Sequence, residues 1–384
     1  MKRLEIGIEG MPPLLCNRFT DAAQMAGEIA ESRLCSREIA SRVSVIDIFC
    51  GAGGLTHGLV SEGLRVNAGI DIDPACRYPY ETNNEGSRFM ERDVSSVEAK
   101  EISDMFSPGT FRVLAGCAPC QPFSTYNQGR DSRGDRKWPL LYGFSRLIEG
   151  VLPDVVAMEN VPTVERHQVF PDFVAKLRSL DYEVWYRSIE CIEYGVPQTR
   201  KRLILLASRH GPIELMKPSA SRTITVREAI GSLPPLKAGE QSMSDRMHAA
   251  ASLSEINLAR IRLSRPGGSW RDWPDDLVAS CHKLPSGKTY PSVYGRMEWD
   301  KPSPTLTTLC YGFGNGRFGH PEQDRAISLR EAAILQSFPE SYRFVPDDSP
   351  VQFRIIGRLL GNAVPVNLGR AIGKSIAGHL NRLG

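Results

Sequence analysis

The sequence lacks any apolar run long enough to cross a bilayer, which excludes a protein built on membrane-spanning helices. Its first forty residues carry scattered charge (Lys2, Arg3, Glu5, Glu9) and no compact apolar block before a small-residue cleavage site, so a secretory leader is not expected. Cysteine is present but unpatterned: nine residues, an odd number without regular spacing, do not make a disulfide framework. Reduced thiols and a cytoplasmic location are the expectation. Internal repeats and low-complexity tracts are also missing. Neither sign of charge dominates, with 47 basic against 44 acidic residues, and so small an excess neither requires nor excludes nucleic acid, because a balanced total can hide a basic groove.

What is present is enough apolar material, 41% of 384 residues, for one large core and a second smaller one. From Val43 onward, short β-branched runs alternate with amphipathic segments of helical length, the pattern of βαβ units on a mostly parallel, doubly wound sheet. Strands are expected at 43–49, 65–71, 112–115, 154–158, 183–189 and 202–207. Asp73-Pro74 reads as a cap with proline at the first helical position, and 95–106 carries helical periodicity. After Ser208 the alternation stops, and the stretch to about Asp300 is rich in Pro, Gly, Ser, Arg and His. Helical pattern returns at 328–338 and from Val366 onward, so the last segment is expected to fold back on the first. The domains expected are therefore a 1–42 extension with one helix at 21–33, a 43–208 catalytic unit, an irregular 209–300 region and a returning 301–384 segment.

Val45-Ile-Asp-Ile-Phe-Cys-Gly-Ala-Gly-Gly-Leu-Thr-His-Gly58 is a strand, a glycine turn and a helix, a geometry that brings backbone close to a ligand. The GxGxxG spacing fails at Thr56, yet an acid, Asp71, ends the next strand about twenty positions on, where a carboxylate can accept both ribose hydroxyls. A ribose acid without the pyrophosphate fingerprint suits a nucleoside cofactor lacking phosphates, such as S-adenosylmethionine; a purely structural tight turn is the alternative. Asp93 follows a third short run at the same sheet edge and reads equally as an adenine contact or a solvated cap. His57 alone is more simply packing than chemistry.

Cys117 and Cys120, in Ala115-Gly-Cys-Ala-Pro-Cys-Gln-Pro-Phe-Ser124, admit three readings. Zinc needs a second cysteine or histidine pair, and none is close enough, so no metal is expected. A redox Cys-x-x-Cys follows a strand in the same way, but without an adenosine loop upstream. The third reading is a nucleophile at the carboxyl end of a central strand, facing the crevice where open α/β sheets bind ligands. Helpers are available: Asp154-Val-Val-Ala-Met-Glu-Asn-Val161 is an apolar strand ending in Glu159, whose burial favours a neutral form able to donate to a ring nitrogen, with a capping acid as the plainer alternative. Gln198-Thr-Arg-Lys-Arg202 puts Arg200 and Arg202 on one face of a strand start, able to hold a carbonyl oxygen or phosphates; by itself an exposed basic strand end is the simpler view.

Together these residues resemble the C5-cytosine DNA methyltransferase family, over 43–208 and 300–370, with motifs in the family's order. Asp47-Ile-Phe-Cys-Gly-Ala-Gly-Gly54 is similar to its first cofactor motif, which implies Phe49, Gly51, Ala52, Gly53 and Gly54 as cofactor residues. Asp71-Ile72 and Asp93-Val94 match the ribose and adenine positions, and Pro119-Cys-Gln121 the nucleophile motif. Glu159-Asn-Val161 and Gln198 to Arg202 match the base-holding motifs, and Pro302-Ser-Pro-Thr305 and Gly361-Asn-Ala-Val-Pro-Val366 the late motifs. The resemblance implies a Rossmann-like methyltransferase using S-adenosylmethionine, with Cys120, Glu159, Arg200 and Arg202 catalytic, Cys117 as filler, and Pro119, Asn362 and Ala363 completing the cofactor pocket. Lys301 and Ala118 depart from the usual pattern.

The implied product is 5-methylcytosine, made on a base flipped out of double-stranded DNA. The glycine- and arginine-rich stretch Tyr126 to Trp138 reads as a lid, so Gln121, Ser124, Arg130, Arg133 and Arg136 are expected at the DNA. Arg260, Arg262, Arg265, Trp270, Arg271 and Trp273 form a basic and aromatic cluster suited to a groove, and Arg265 and Arg271 are the contacts expected from it. The 209–300 insert is short, which implies a short recognition site. A monomer acting at the nucleoid is expected, in a restriction-modification system with a cognate restriction endonuclease or in an epigenetic one. A transfer-RNA methyltransferase of the same fold and a non-catalytic DNA-binding member are the competing classes; the basic insert counts against the first, and the complete catalytic set against the second.

Overall fold

The computed structural model describes residues 42–119, 139–218 and 222–383. The expected helix at 21–33, Cys120, Gln121, Ser124, Arg130, Arg133, Arg136 and the 126–138 lid lie outside the described residues.

Eight strands lead the fold: β1 (Val43–Ile48), β2 (Arg65–Asp71), β3 (Arg88–Glu91), β4 (Phe111–Gly116), β5 (Val155–Asn160), β6 (Glu183–Glu190), β7 (Gln198–Thr199) and β8 (Lys201–Ser208). All but β7 join one seven-stranded sheet in the order β3-β2-β1-β4-β5-β8-β6. The first five are parallel, while β8 runs antiparallel between β5 and β6. The strand order reverses between β1 and β4, and ligands of open α/β sheets bind outside such a switch point, at the carboxyl ends of the strands.

The near-continuous apolar strands follow from burial on both faces, and their period of two sorts each strand's side chains. Val43 and Val45 of β1 enter one core with Val113, Ala115, Ala157 and Ile204, while Ile46 and Ile48 enter the opposite one with Leu114, Met158, Leu203 and Leu205. The first face is covered by α1 (Gly54–Ser61) and the C-terminal helix; α2 (Arg77–Asn83) follows β2. The second is covered by α3 (Ala99–Met105), α4 (Pro139–Val151) and α5 (Val169–Ser179). Asp73 caps a short 3-10 turn through Ala75 N–H with Pro74 at its start, as its sequence anticipates.

The sheet core outlasts the composition boundary at Ser208, because Ile213 and Leu215 still pack in it. Helix α6 (Val226–Ile230) packs instead with the returning segment. A separate small core gathers Ile261 of α7 (Glu255–Leu263) with Trp270, Trp273, Val293, Phe313 and Ala326; α8 (Ser280–Lys283) lies in the same region. The short strand β9 (Ser303–Pro304) then pairs in parallel with β7, setting Gln198 beside Ser303 and Thr199 beside Pro304. Three helices close the chain: α9 (Leu329–Leu335), α10 (Phe353–Asn362) and α11 (Val366–Leu380). Gly58 and Gly369 let α1 and α11 touch backbone to backbone, where a Cβ on Gly58 would lie 2.5 Å from Arg370 N.

Candidate active site

The glycine loop is held open by left-handed backbone at Phe49 (φ 62°), Gly51 (φ 53°) and Gly53 (φ 89°). Gly53 is the N-cap of α1, and a Cβ there would meet Asn84 at 2.7 Å and Tyr342 at 3.0 Å; Gly51 faces open space, with nothing within 4 Å. Asp71 ties the loop to the end of β2: one carboxyl oxygen accepts from Gly51 N–H at 3.0 Å and the other from Asp73 N–H at 3.0 Å. Burial raises this carboxyl above the usual range against the opposing pull of those donors. Each oxygen keeps a lone pair for a ligand hydroxyl. Next to it Ile72 leaves 65% of its surface exposed, an apolar face that a flat heterocycle would cover. These features fit a nucleoside.

Asp93 is exposed and accepts from Ser95 N–H at 2.9 Å, an interaction that lowers its carboxyl below the ordinary value; Val94 is buried beside it. Exposed Asn362 ends α10 and Ala363 follows, buried. Pro119 stands exposed beyond β4, the last described residue before Cys120. His57 packs edge-on against Tyr342, its ring nitrogen within 3.1 Å of Asn84, and burial lowers its affinity for a proton.

The second half of the site comes from β4, β5 and β8. Because β8 is antiparallel, its first residues stand at the carboxyl ends of the parallel strands, which explains how a strand start reaches the crevice. Glu159, 3% exposed on β5, has Arg202 Nε 2.7 Å from its Oε1 and the Cys117 thiol donating to its Oε2 at 2.7 Å. The Arg202 N–H does not point along that contact, so Oε1 is ion-paired but without a hydrogen-bond partner among the described residues.

The Cys117 contact is absent from the motif reading, which treats that residue as filler. A signal for it exists in register, since Gly116 pairs with Met158 and the next residues on the two parallel strands are Cys117 and Glu159.

Arg200 departs from the expectation of a crevice-facing cation. It is 2% exposed, and its guanidinium donates to the Leu306 carbonyl at 3.2 Å, that of Gly361 at 3.3 Å and that of Ala363 at 3.4 Å. Burial, and then Arg202, lower its pKa to about 10, so it stays a cation at neutral pH. The tryptophans depart too: Trp270 and Trp273 are buried, Trp270 stacked on His282 at 4.5 Å, and Arg260 is buried against Trp273. They form the small core, where their large rings supply much of the buried apolar area. Arg265 remains exposed beside Asp272, and Arg271 lies over the Trp270 ring. Among the described residues no group of three or more metal-ligating side chains occurs, and no helix is long and apolar enough to cross a membrane.

The C-5 cytosine-specific DNA methylase family model matches residues 43–378, most of the chain. The protein belongs to that family. As a C5-cytosine DNA methyltransferase it is 52% identical over 345 residues to the type II methylase M.HgiDII of Herpetosiphon aurantiacus, covering 88% of this chain and 96% of that one. It is 32% identical to the type II methyltransferase M.Eco47II of Escherichia coli, over 88% of this chain and 80% of that one. Its fold matches the solved structure of an E. coli prophage protein assigned as a DNA modification methyltransferase, with TM-score 0.70 and 22% identity over 88% of this chain and 99% of that one. The mostly parallel sheet is thus the Rossmann-like methyltransferase fold, and the transfer-RNA and non-catalytic alternatives are not favoured.

Proposed function

We propose that this DNA methyltransferase moves the methyl group of S-adenosylmethionine to C5 of a cytosine swung out of a short duplex site, through a transient bond between Cys120 and C6. One observation carries the reading: buried Glu159 offers an oxygen that has no hydrogen-bond partner among the described residues and lies beside a guanidinium, on the strand next to the one that leads into Pro119-Cys120. Thiolate is suited to attack C6, and neighbouring cations favour its formation. A proton carried by Glu159 passes to N3 and the Arg202 guanidinium donates to O2, so charge built up on the ring as Cys120 adds is met at two fixed points. When bound, the cofactor supplies an electrophilic sulfonium methyl. Once C5 carries the methyl, its proton leaves to a base such as water as Cys120 departs as thiolate, and N3 returns its proton to Glu159, which restores the aromatic ring.

Asp71 binds the ribose, Ile72 and Val94 the adenine with Asp93 at its edge, and Phe49 to Gly54 and Pro119, with Asn362 and Ala363, complete the pocket. Arg200 supports it from behind. Gln121, Ser124, Arg130, Arg133 and Arg136 meet the DNA from the nucleophile side, and Arg265 and Arg271 from the recognition region. That region, 209–300, shares its small core with Phe313 and Ala326 of the returning segment. The type II names of the relatives support a restriction-modification role; a cognate endonuclease, and a monomer acting on DNA in the cytoplasm, belong to the same proposal.

Bisulfite sequencing of plasmid DNA from cells expressing the protein will give the modified site, and a duplex with 5-fluorocytosine there will trap Cys120 in the presence of the cofactor. Absence of C5 modification, or of an adduct in an active preparation, would overturn the mechanism.

A further inference from the structure

We infer that Cys117 is a positioning residue for Glu159, fixing which carboxyl oxygen is presented to the base; this rests on the proposed cytosine chemistry. The two side chains leave neighbouring parallel strands one residue past the paired positions Gly116 and Met158, so the sheet register itself brings them together. The thiol donates to Oε2 at 2.7 Å, while Oε1 faces Arg202 and has no hydrogen-bond partner among the described residues. A carboxyl group held at one oxygen by a directional donor and at the other by an ion pair cannot rotate about its last bond. Its plane is set before the substrate arrives.

Without the thiol, Glu159 keeps only the Arg202 contact, and the Oε1 aimed at N3 exchanges freely with Oε2. The cost falls on the transition state, where the N3 contact strengthens, more than on binding. A hydroxyl can take the thiol's place, because an oxygen on its shorter bond remains within hydrogen-bond range of Oε2.

The test pairs Cys117→Ala with Cys117→Ser in full-length protein, using unmodified plasmid DNA and tritiated S-adenosylmethionine. Cys117→Ala is expected to lower kcat about tenfold with KM for the cofactor within twofold, and Cys117→Ser to recover most of the lost rate. A second arm reads the contact without turnover: in a Cys120→Ser background, iodoacetamide labelling of Cys117, followed by mass spectrometry, should be several-fold faster when Glu159→Gln puts a weaker acceptor in place of the carboxyl oxygen to which the thiol donates. Full kcat in Cys117→Ala, a serine variant as slow as the alanine one, or equal labelling with Glu and Gln at 159 would each overturn the inference. A wild-type protein that methylates no cytosine would instead overturn the reaction on which it rests.

Discussion

At Glu159 two demands meet, since the side chain is nearly inaccessible yet carries an oxygen that, among the described residues, is ion-paired to Arg202 but accepts no hydrogen bond. Unsatisfied buried acceptors are costly and rare, so one that persists beside an ion pair marks a place where a ligand completes the set. Glu159→Gln keeps the shape and removes the proton exchange; it should lower kcat by about a hundredfold or more, with cofactor affinity unchanged by calorimetry. Asp47 is a different buried acid. Thr56 donates to its Oδ2 at 2.7 Å, its Oδ1 accepts no hydrogen bond among the described residues, and burial, only partly opposed by that donor, raises its pKa to about 7. A carboxyl raised in the folded state binds protons more tightly there than in the unfolded chain, so its contribution to stability is whole below about pH 4 and drains away as pH climbs to about 7. Asp47→Asn keeps an acceptor for Thr56 and loses the titration. By differential scanning fluorimetry, the melting temperature of Asp47→Asn should rise relative to wild type across pH 4 to 7, and the gap should be constant above.

The element on which the proposed cofactor pocket is built is the turn between β1 and α1. Two of its glycines adopt the same left-handed backbone with opposite surroundings: Gly51 borders open space, while Gly53 is enclosed by Asn84, Tyr342 and Tyr80. Alanine at 51 should cost about 1 kcal/mol for the backbone alone, and alanine at 53 at least about 2 kcal/mol because its Cβ also displaces packed neighbours. Urea unfolding of the two variants measures the difference. Only Gly53→Ala should tilt the start of α1, whereas Gly51→Ala retains the helix and narrows the ligand side of the loop.

Across the whole molecule, Arg200 is the joint between the strand that carries Arg202 and the late segment. Its donors reach the backbone of the 306 loop and both sides of Asn362, and Gln198 and Gln336 continue the network from Leu335 to Leu360. A lysine can satisfy one or two of those carbonyls, not the spread that a planar guanidinium covers. Arg200→Lys should therefore cost about 2–4 kcal/mol of stability and weaken S-adenosylmethionine binding, because the Gly361 to Ala363 turn is released. Thermal melts with and without cofactor will separate the two effects: a variant that is destabilised but binds with wild-type affinity would confine Arg200 to folding.

The linear order of residues already determined the doubly wound sheet, its glycine turn and the acids at its strand ends, because those signals are local: period-two apolar runs, Asp73-Pro74 as a cap, and carboxylates at the ends of apolar strands. It could not show that β8 runs antiparallel, since strand direction leaves no mark on a short apolar run; yet that direction alone carries Arg202 to Glu159. Nor could it distinguish Arg200 from Arg202, two positions apart on one strand start, when one is engulfed by carbonyls from residues more than a hundred positions away. The same holds for Trp270 and Trp273, which the chain presents as a groove and the fold uses as a core. Which groups face solvent, carboxylate or backbone is settled by long-range packing, and only the tertiary structure fixes it.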